Sequence, residues 1–145
     1  MRRGTRGTYT LLVHVPYELS LNIGGLGRVD FKGGYYAYIG SALGGVEGRV
    51  GRHLREEKKI RWHIDHLLIH ARAVDVVVAR SEERKECVVA RGLAKDLPSV
   101  KGFGSSDCGC ESHLFYSPNF TELLRRVLEE FKACGLKPEK GVRYE

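Results

Sequence analysis

The sequence predicts an α+β fold, with strands in its N-terminal third and helices alternating with further strands after it. Two stretches carry this prediction. Residues 8–15, TYTLLVHV, are mostly β-branched or aliphatic and stop at Pro16, which has no N–H to donate to a neighbouring strand. In the later stretch VEGRVGRHLREEKK, Val46, Val50 and Leu54 recur every four residues among charged side chains, as they do on an amphipathic helix.

The other elements are predicted from alternating apolar residues, turn residues and helix caps. Ser81 and Ser117 are the expected N-caps of two helices, and Pro118 is expected at the first position of the second one. In chain order we expect a hairpin over 19–31, a strand over 35–39, a short helix within 62–71, a strand over 73–79, a helix within 81–97, a loop over 99–112, a strand over 113–116 and a last helix that ends near Gly135.

Composition indicates a folded protein that favours polyanionic partners. The chain has 145 residues, 42% hydrophobic and 29% charged, and we expect one domain over residues 1–145. A net charge of +6 and a pI near 9.3 favour nucleic acid as the partner. No stretch approaches the roughly 20 apolar residues of a membrane span, and the N-terminus does not read as a signal peptide. We therefore expect a cytoplasmic protein with no membrane partner.

Four short motifs stand in order along the chain. They are Gly7-Thr8-Tyr9, Tyr38-Ile39-Gly40, Arg49 within RVGRH, and Glu86 on a later helix. Together they resemble the GIY-YIG nuclease superfamily, and most closely its Uri endonuclease branch, which shares YYAYIGSA, RWHIDHLL and FGSSDCGCESHLF. The resemblance implies a small antiparallel sheet flanked by helices over residues 7–116, with the hairpin as an insertion and residues 117–145 as a C-terminal helical extension.

The resemblance also implies roles for four side chains. Tyr9 would orient or deprotonate the attacking water, and Tyr38 is the second tyrosine of the site. Arg49 would bind phosphate oxygens, and its charge is expected to favour ionisation of the tyrosines. Glu86 would hold Mg²⁺ or Mn²⁺ with phosphate oxygens and water. Thr8 departs from the isoleucine that is usual in the first motif.

Further residues of the helix that carries Arg49, and of the segment after it, are candidates for supporting roles. Arg52 and His53 share the helix face of Arg49 and would hold a flanking or leaving phosphate, unless this face is only solvated. His63 and Asp65 would act as a general acid or support the site, unless they only cap a helix beside a core Trp62. The residues expected to contact nucleic acid are Gly40, Ser41, Arg49, Arg52, Arg55, Lys58 and Lys59. Gly48 and Gly51 are poor helix formers. Their presence in this helix would be explained if a ligand or another backbone approaches them closely.

A cluster of soft ligands near the second half of the chain predicts a separate metal site. Cys108, Cys110 and His113 lie within six residues, and Cys87, His63 or His66 would complete a tetrahedral Zn²⁺ site. The alternative is two reduced loop thiols and a histidine with local hydrogen bonds. We expect the zinc ligands to be Cys87, Cys108, Cys110 and His113.

The motifs therefore predict a metal-dependent endonuclease that hydrolyses nucleic-acid phosphodiester bonds, with DNA favoured over RNA. Two rival functions are also consistent with the sequence. One is a nucleic-acid-binding module without turnover, serving a partner DNA-repair protein, and the other is a zinc-stabilised surface for protein contacts.

Overall fold

The structure is a computed structural model that describes residues 5–55, 59–106 and 108–140. Within these ranges it contains seven strands and four α-helices. The strands are β1 (Gly7–Val15), β2 (Leu19–Asn22), β3 (Arg28–Phe31), β4 (Gly34–Ala42), β5 (Arg72–Arg80), β6 (Leu114–Ser117) and β7 (Glu139–Lys140). The helices are α1 (Val46–Leu54), α2 (His63–Leu68), α3 (Glu86–Leu93) and α4 (Phe120–Ala133).

The main sheet has the order β6-β4-β1-β5-β7, and all its neighbouring strands run antiparallel. Strand β1 lies at the centre because almost every one of its residues is apolar or small and buried. Its start faces the end of both neighbours, since Gly7 pairs with Ala42 on β4 and with Arg80 on β5. The expected α+β fold with a small antiparallel sheet is confirmed.

The hairpin β2–β3 forms a separate two-stranded sheet outside the main one. Leu19 pairs with Phe31, and a short 3₁₀ turn over Gly24–Leu26 joins the strands where Gly24 adopts a φ of +46°. The buried side chains of Ile23 and Phe31 fix the hairpin to the core. Because the hairpin is looped out, β1 and β4 become direct neighbours, which brings the two tyrosine motifs onto adjacent strands.

The core has two layers, one on each face of the main sheet. On one face Leu11 and Val13 of β1 pack with the apolar sides of α1, α2 and the hairpin. On the other face Leu12 packs with α3 and with the Leu123, Val127 and Phe131 side of α4. Because side chains alternate between the two faces of a strand, Tyr9 on β1 and Tyr38 on β4 point to the face of the sheet that packs against α1. Helix α3 approaches the same end of the sheet from the opposite face.

Two predicted helix starts are wrong. Helix α3 begins at Glu86 and not after Ser81, because the Ser81 hydroxyl donates to the Glu83 carbonyl and contacts the Thr8 hydroxyl. Helix α4 begins at Phe120, and its cap is Asn119, whose side-chain oxygen accepts the Glu122 N–H at 2.9 Å. The first correction matters for the site, since it makes Glu86 the first residue of its helix.

Two smaller observations complete the fold. The strand β7 was not predicted, and its two residues pair with Val77 and Val78 at the edge of the sheet. Across 5–55, 59–106 and 108–140, none of the helices has both the length and the apolar character that crossing a bilayer requires.

Candidate functional site

A pocket of about 390 Å³ opens where β1 begins and β4 and β5 end. Its lining includes the four residues to which the motifs assign chemistry, namely Tyr9, Tyr38, Arg49 and Glu86. Gly40, Ser41, Cys108 and His113 from the other predicted sets also line it. Ile39, Trp62, Arg84 and Gly104 complete the lining and were not predicted as site residues. The antiparallel pairing of β1 with β4 is what brings the two tyrosines together.

Tyr9 is held between a histidine and a glycine. Its hydroxyl lies 2.8 Å from Nε2 of His53, and only 1% of the residue is exposed. Burial raises the pKa of Tyr9 well above its usual value, the neighbouring Tyr38 raises it further, and Arg49 lowers it only in part. The expectation that Arg49 favours ionisation is therefore correct in direction but outweighed, and Tyr9 is a neutral phenol.

His53 was expected to hold a flanking or leaving phosphate, but its side chain is buried. The residue is 2% exposed, and its ring lies between the rings of Tyr9 and Trp62, at centroid distances of 5.5 and 5.8 Å. With Nε2 unprotonated, the imidazole accepts the Tyr9 O–H. His53 is therefore a buried partner of Tyr9, and the exposed side of the site is formed by other residues.

The packing around Gly40 explains why the second motif has a glycine at this position. It pairs directly with Tyr9 across β1 and β4, and the Tyr9 ring covers the position where a Cβ would stand. A side chain there would overlap the carbon and hydroxyl at the end of the ring. Because Gly40 has no side chain, the Tyr9 ring can pack directly on the backbone of β4, which fixes the position of its hydroxyl.

We expect Gly40→Ala to destabilise the fold by about 1–3 kcal/mol, because the added methyl group must displace a fully packed ring. Gly48→Ala is the matched control, since a Cβ built at that position meets no atom of the described residues within 4 Å beyond its chain neighbours and the backbone of its own helix. On α1 this control should gain about 0.5–1 kcal/mol. Urea denaturation of both variants measures the difference, and a Gly40→Ala protein as stable as the wild type would contradict the packing described for Tyr9.

Tyr38 lines the pocket beside Tyr9 and is almost as buried, with 8% exposed. Burial raises its pKa to about 12, although Arg49 lowers it. Its ring packs edge-on against Phe103, and Gly104 follows with a φ of +72°. A Cβ at Gly104 would stand 2.9 Å from the Tyr38 ring, so the loop after Phe103 can reach the tyrosine only as glycine.

Arg49 lies on α1 with its guanidinium stacked over the indole of Trp62, at 4.7 Å from the ring centroid. It also donates to the Ser41 carbonyl at 3.3 Å. The stacked plane leaves donors of the guanidinium fork available to a ligand in the pocket. A core position was one of the alternatives for Trp62; the residue is half-buried, packs against the core and lines the pocket under this cation.

Arg52 and Asp65 are engaged with each other. Asp65 is fully buried and accepts two hydrogen bonds from the Arg52 guanidinium, at 3.0 and 3.1 Å. It also accepts the N–H groups of Arg61 and Trp62 at the start of α2. Burial alone would raise the pKa of Asp65, but these hydrogen bonds outweigh it and hold the pKa below the usual range. Neither side chain is among the residues that line the pocket. The Arg52 guanidinium lies over the Trp62 ring, 4.3 Å from its centroid, so the pair supports Trp62.

His63 is also a support and not part of the lining. Its Nδ1 accepts the N–H of Gly104 at 2.8 Å, which ties the loop of residues 99–113 to α2. Burial and the nearby His66 lower the pKa of His63, so the ring stays neutral and able to accept. The structure does not place His63 among the residues that line the pocket, which does not favour its predicted role as a general acid.

Glu86 enters the pocket from α3. The carboxylate is half-buried and accepts a hydrogen bond from the Ser41 hydroxyl. At the first helical position it also benefits from the positive end of the helix dipole. The neighbouring acidic residues Glu82 and Glu83 lie outside the helix, where their side chains are mostly exposed and pair with surface cations. Arg84, in the turn before α3, adds a second cation to the pocket.

The residues expected to contact nucleic acid are only partly gathered here. Gly40, Ser41 and Arg49 line the pocket, whereas Arg55 and Lys59 are exposed beyond the end of α1. Lys58 lies outside the described residues. Gly48 and Gly51 have no atom of the described chain within 4 Å of a Cβ, so packing inside this chain does not require glycine at either position.

A larger cavity of about 920 Å³ lies on another side of His53. His14, Arg55, His70 and Arg72 give it a basic lining, together with apolar residues such as Ile69. Among the described residues this lining holds no carboxylate or thiol that could bind a metal ion. Its histidines, His14, His53 and His70, do not form a cluster among the described residues that could hold a metal ion, whereas Glu86 and two members of such a cluster line the smaller pocket.

The predicted soft ligands come together beside the same pocket. The ligand atoms of Cys87, Cys108, Cys110 and His113 all lie within 4.8 Å of one another, and this cluster could hold a metal ion. Cys87 comes from α3, next to Glu86, and the other three come from the loop before β6. Burial, with the neighbouring thiols of Cys110 and Cys108, raises the pKa of Cys87 to about 12. The alternatives His63 and His66 are not in the cluster.

Comparison with known proteins adds one assignment. A family model described as a domain of unknown function, DUF123, matches residues 8–136, which cover nearly the whole chain. The chain belongs to the DUF123 family. No curated protein and no solved structure matches it. The DUF123 domain thus contains the complete pocket, from Tyr9 on β1 to His113 before β6.

Proposed function

We propose that this DUF123 domain is a metal-dependent endonuclease that hydrolyses phosphodiester bonds, with DNA favoured over RNA. The observation that carries the proposal is the shared pocket of Tyr9, Tyr38, Arg49 and Glu86. Its support from sequence is the resemblance of the four motifs to the GIY-YIG superfamily and its Uri branch. Two tyrosines, a fork-shaped cation and a carboxylate around one cavity suit phosphoryl chemistry better than a purely structural role.

The residues of the pocket fit Mg²⁺ or Mn²⁺ at Glu86. Its carboxylate is half-buried, fixed by the Ser41 hydroxyl and directed to a cavity with room for water and phosphate oxygens. The ion would supply Lewis-acid stabilisation of a phosphate and a more acidic bound water. The thiols of the neighbouring cluster are soft ligands and do not compete for such a hard cation.

Two arginines supply the charge that a phosphodiester requires. Arg49 is braced by Trp62 and by the Ser41 carbonyl, so its guanidinium loses little freedom when it binds phosphate oxygens. Arg84 stands two residues before Glu86 and lines the same cavity. The open surface around Gly48 and Gly51 would let a nucleic-acid backbone approach α1 closely.

The contact between Tyr9 and His53 supports a proton relay. A neutral tyrosine with a raised pKa is a poor general base by itself. It can accept the proton of the attacking water while its own hydroxyl proton passes to Nε2 of His53, 2.8 Å away. In this relay no free phenolate has to form, and Tyr38 is left to donate a hydrogen bond to a phosphate oxygen.

The metal dependence of cleavage by the full chain tests this proposal. Supercoiled plasmid, single-stranded DNA and RNA oligonucleotides are incubated with the protein in Mg²⁺, in Mn²⁺ and in chelator. We expect cleavage of DNA in either metal, strongest on one of the DNA substrates, and none in chelator. Salt-sensitive binding without cleavage in any metal would contradict the nuclease and favour the binding module that serves a repair partner.

A further inference from the structure

We propose that Cys87, Cys108, Cys110 and His113 bind one Zn²⁺ as a structural centre that fastens the loop of residues 99–113 to the start of α3. This inference goes beyond the proposed nuclease activity and does not depend on it. All four ligand atoms belong to described residues and come from two separate parts of the chain.

The distances within the cluster match a tetrahedral zinc site. Zinc lies about 2.3 Å from sulfur and about 2.0–2.1 Å from nitrogen, so tetrahedral angles separate sulfur and nitrogen ligands by roughly 3.6 Å. Nε2 of His113 lies 3.5 Å from Sγ of Cys108 and 3.8 Å from Sγ of Cys87. All ligand pairs stay within 4.8 Å, so one central ion requires only small side-chain adjustments.

The cluster is poorly explained by hydrogen bonding alone. His113 is 6% exposed, and the partners of its Nε2 among the described residues are the two thiols. Thiols are weak donors and weak acceptors, so they satisfy a buried imidazole only in part. Binding of Zn²⁺ replaces these weak contacts with four strong bonds and releases the thiol protons to solvent.

The kind of ligand set indicates what the ion would do. Four protein ligands fill a tetrahedral zinc and leave no position for substrate, which is typical of structural sites. The centre would join Cys87, the residue after Glu86, to the loop that carries Gly104 and His113. That loop contacts Tyr38 and bonds His63, so the ion would hold one wall of the pocket in place.

Metal analysis of the full chain, purified in reductant, tests the proposal without any cleavage assay. We expect one zinc per chain in the wild type and in Cys134→Ser, because the Cys134 thiol lies just after α4 and contacts Glu130 instead of the cluster. Cys110→Ser should bind zinc at least ten times more weakly. Because that variant could unfold, the wild type is also stripped with chelator and titrated with Co²⁺, which should give the visible absorption of tetrahedral cobalt thiolate and lose it on addition of Zn²⁺.

Three results would overturn the proposal. One is a wild-type protein that binds neither Zn²⁺ nor Co²⁺ after reduction. Another is a Cys110→Ser variant that holds zinc as tightly as Cys134→Ser does. The third is a native disulfide between two of the cluster thiols, seen as a loss of two hydrogen atoms in the intact mass of protein purified without reductant. None of these results bears on whether the protein cleaves DNA, so the two proposals fail separately.

Discussion

Replacing Arg49 by lysine is expected to lower the single-turnover rate of DNA cleavage by about 100-fold, with a much smaller loss of DNA binding. Lysine keeps the charge but loses the planar fork that stacks over Trp62 and reaches two phosphate oxygens. The effect should fall on the chemical step, because charge accumulates on the phosphate in the transition state and the braced guanidinium is positioned for it. Single-turnover kinetics with labelled oligonucleotides separate the step from binding.

Arg80→Lys is the matched control for this prediction. The Arg80 side chain is 79% exposed and its contact is a surface ion pair with Glu82 at 3.7 Å. The control should cleave at the wild-type rate and melt at the same temperature. An Arg49→Lys protein that cleaves within a few-fold of this control would show that Arg49 does not contact the reacting phosphate.

The second large effect concerns stability. We expect Asp65→Ala to lower the free energy of unfolding by about 3–5 kcal/mol, because it removes one partner of a buried ion pair. Asp65 accepts four hydrogen bonds, two from Arg52 and two from backbone N–H groups at the start of α2. The variant leaves all of these donors without their acceptor. Urea denaturation followed by circular dichroism measures the loss.

A surface pair provides the comparison for Asp65. Asp96 binds Arg126 at 2.9 Å, but its side chain is 55% exposed, so Asp96→Ala should cost only about 0–1 kcal/mol. A loss of less than 1 kcal/mol in Asp65→Ala would contradict the role given to the buried pair.

The buried ion pair of Asp65 and Arg52 should also affect how the stability of the protein depends on pH. The pKa of Asp65 is lower in the folded than in the unfolded chain, so the carboxylate stabilises the fold above the unfolded value of about 3.9. That contribution is lost as the pH falls below this value and through the folded pKa. The stability difference between the wild type and Asp65→Asn should therefore shrink with acidification below about pH 4. A difference that does not change between pH 4 and pH 2 would contradict this.

The strands other than β7 were predictable because their local pattern and their tertiary setting agree. Residues 8–15 are mostly β-branched or aliphatic, and the structure buries both sides of this strand at the centre of the sheet. The hairpin was predictable from alternation, and its alternation is visible in the burial of Leu19 to Phe31. The start of α3 was not, because Ser81 has a hydroxyl partner on β1 that no local pattern can reveal.

The residues of the candidate site likewise fall into those that the sequence could predict and those that it could not. Motif order was enough to select Tyr9, Tyr38, Arg49 and Glu86, since each lies in a recognisable local sequence. The roles of His53 and Trp62 depend on contacts with distant strands and helices, so helical spacing gave the right face for His53 but the wrong partner. Arg84 lies in a turn with no motif of its own, and no sequence feature distinguishes it from Arg80 or Arg91.

The most direct test of the account is the Mg²⁺-dependent cleavage rate of Glu86→Gln, measured beside Glu83→Gln. Both changes remove one carboxylate near the start of α3, but only Glu86 lines the pocket, whereas the Glu83 side chain is 81% exposed. We predict that Glu86→Gln loses cleavage by about 100-fold or more and that Glu83→Gln keeps the wild-type rate. Equal rates for the two variants, at equal DNA binding and stability, would contradict the assignment of Glu86 as the metal ligand.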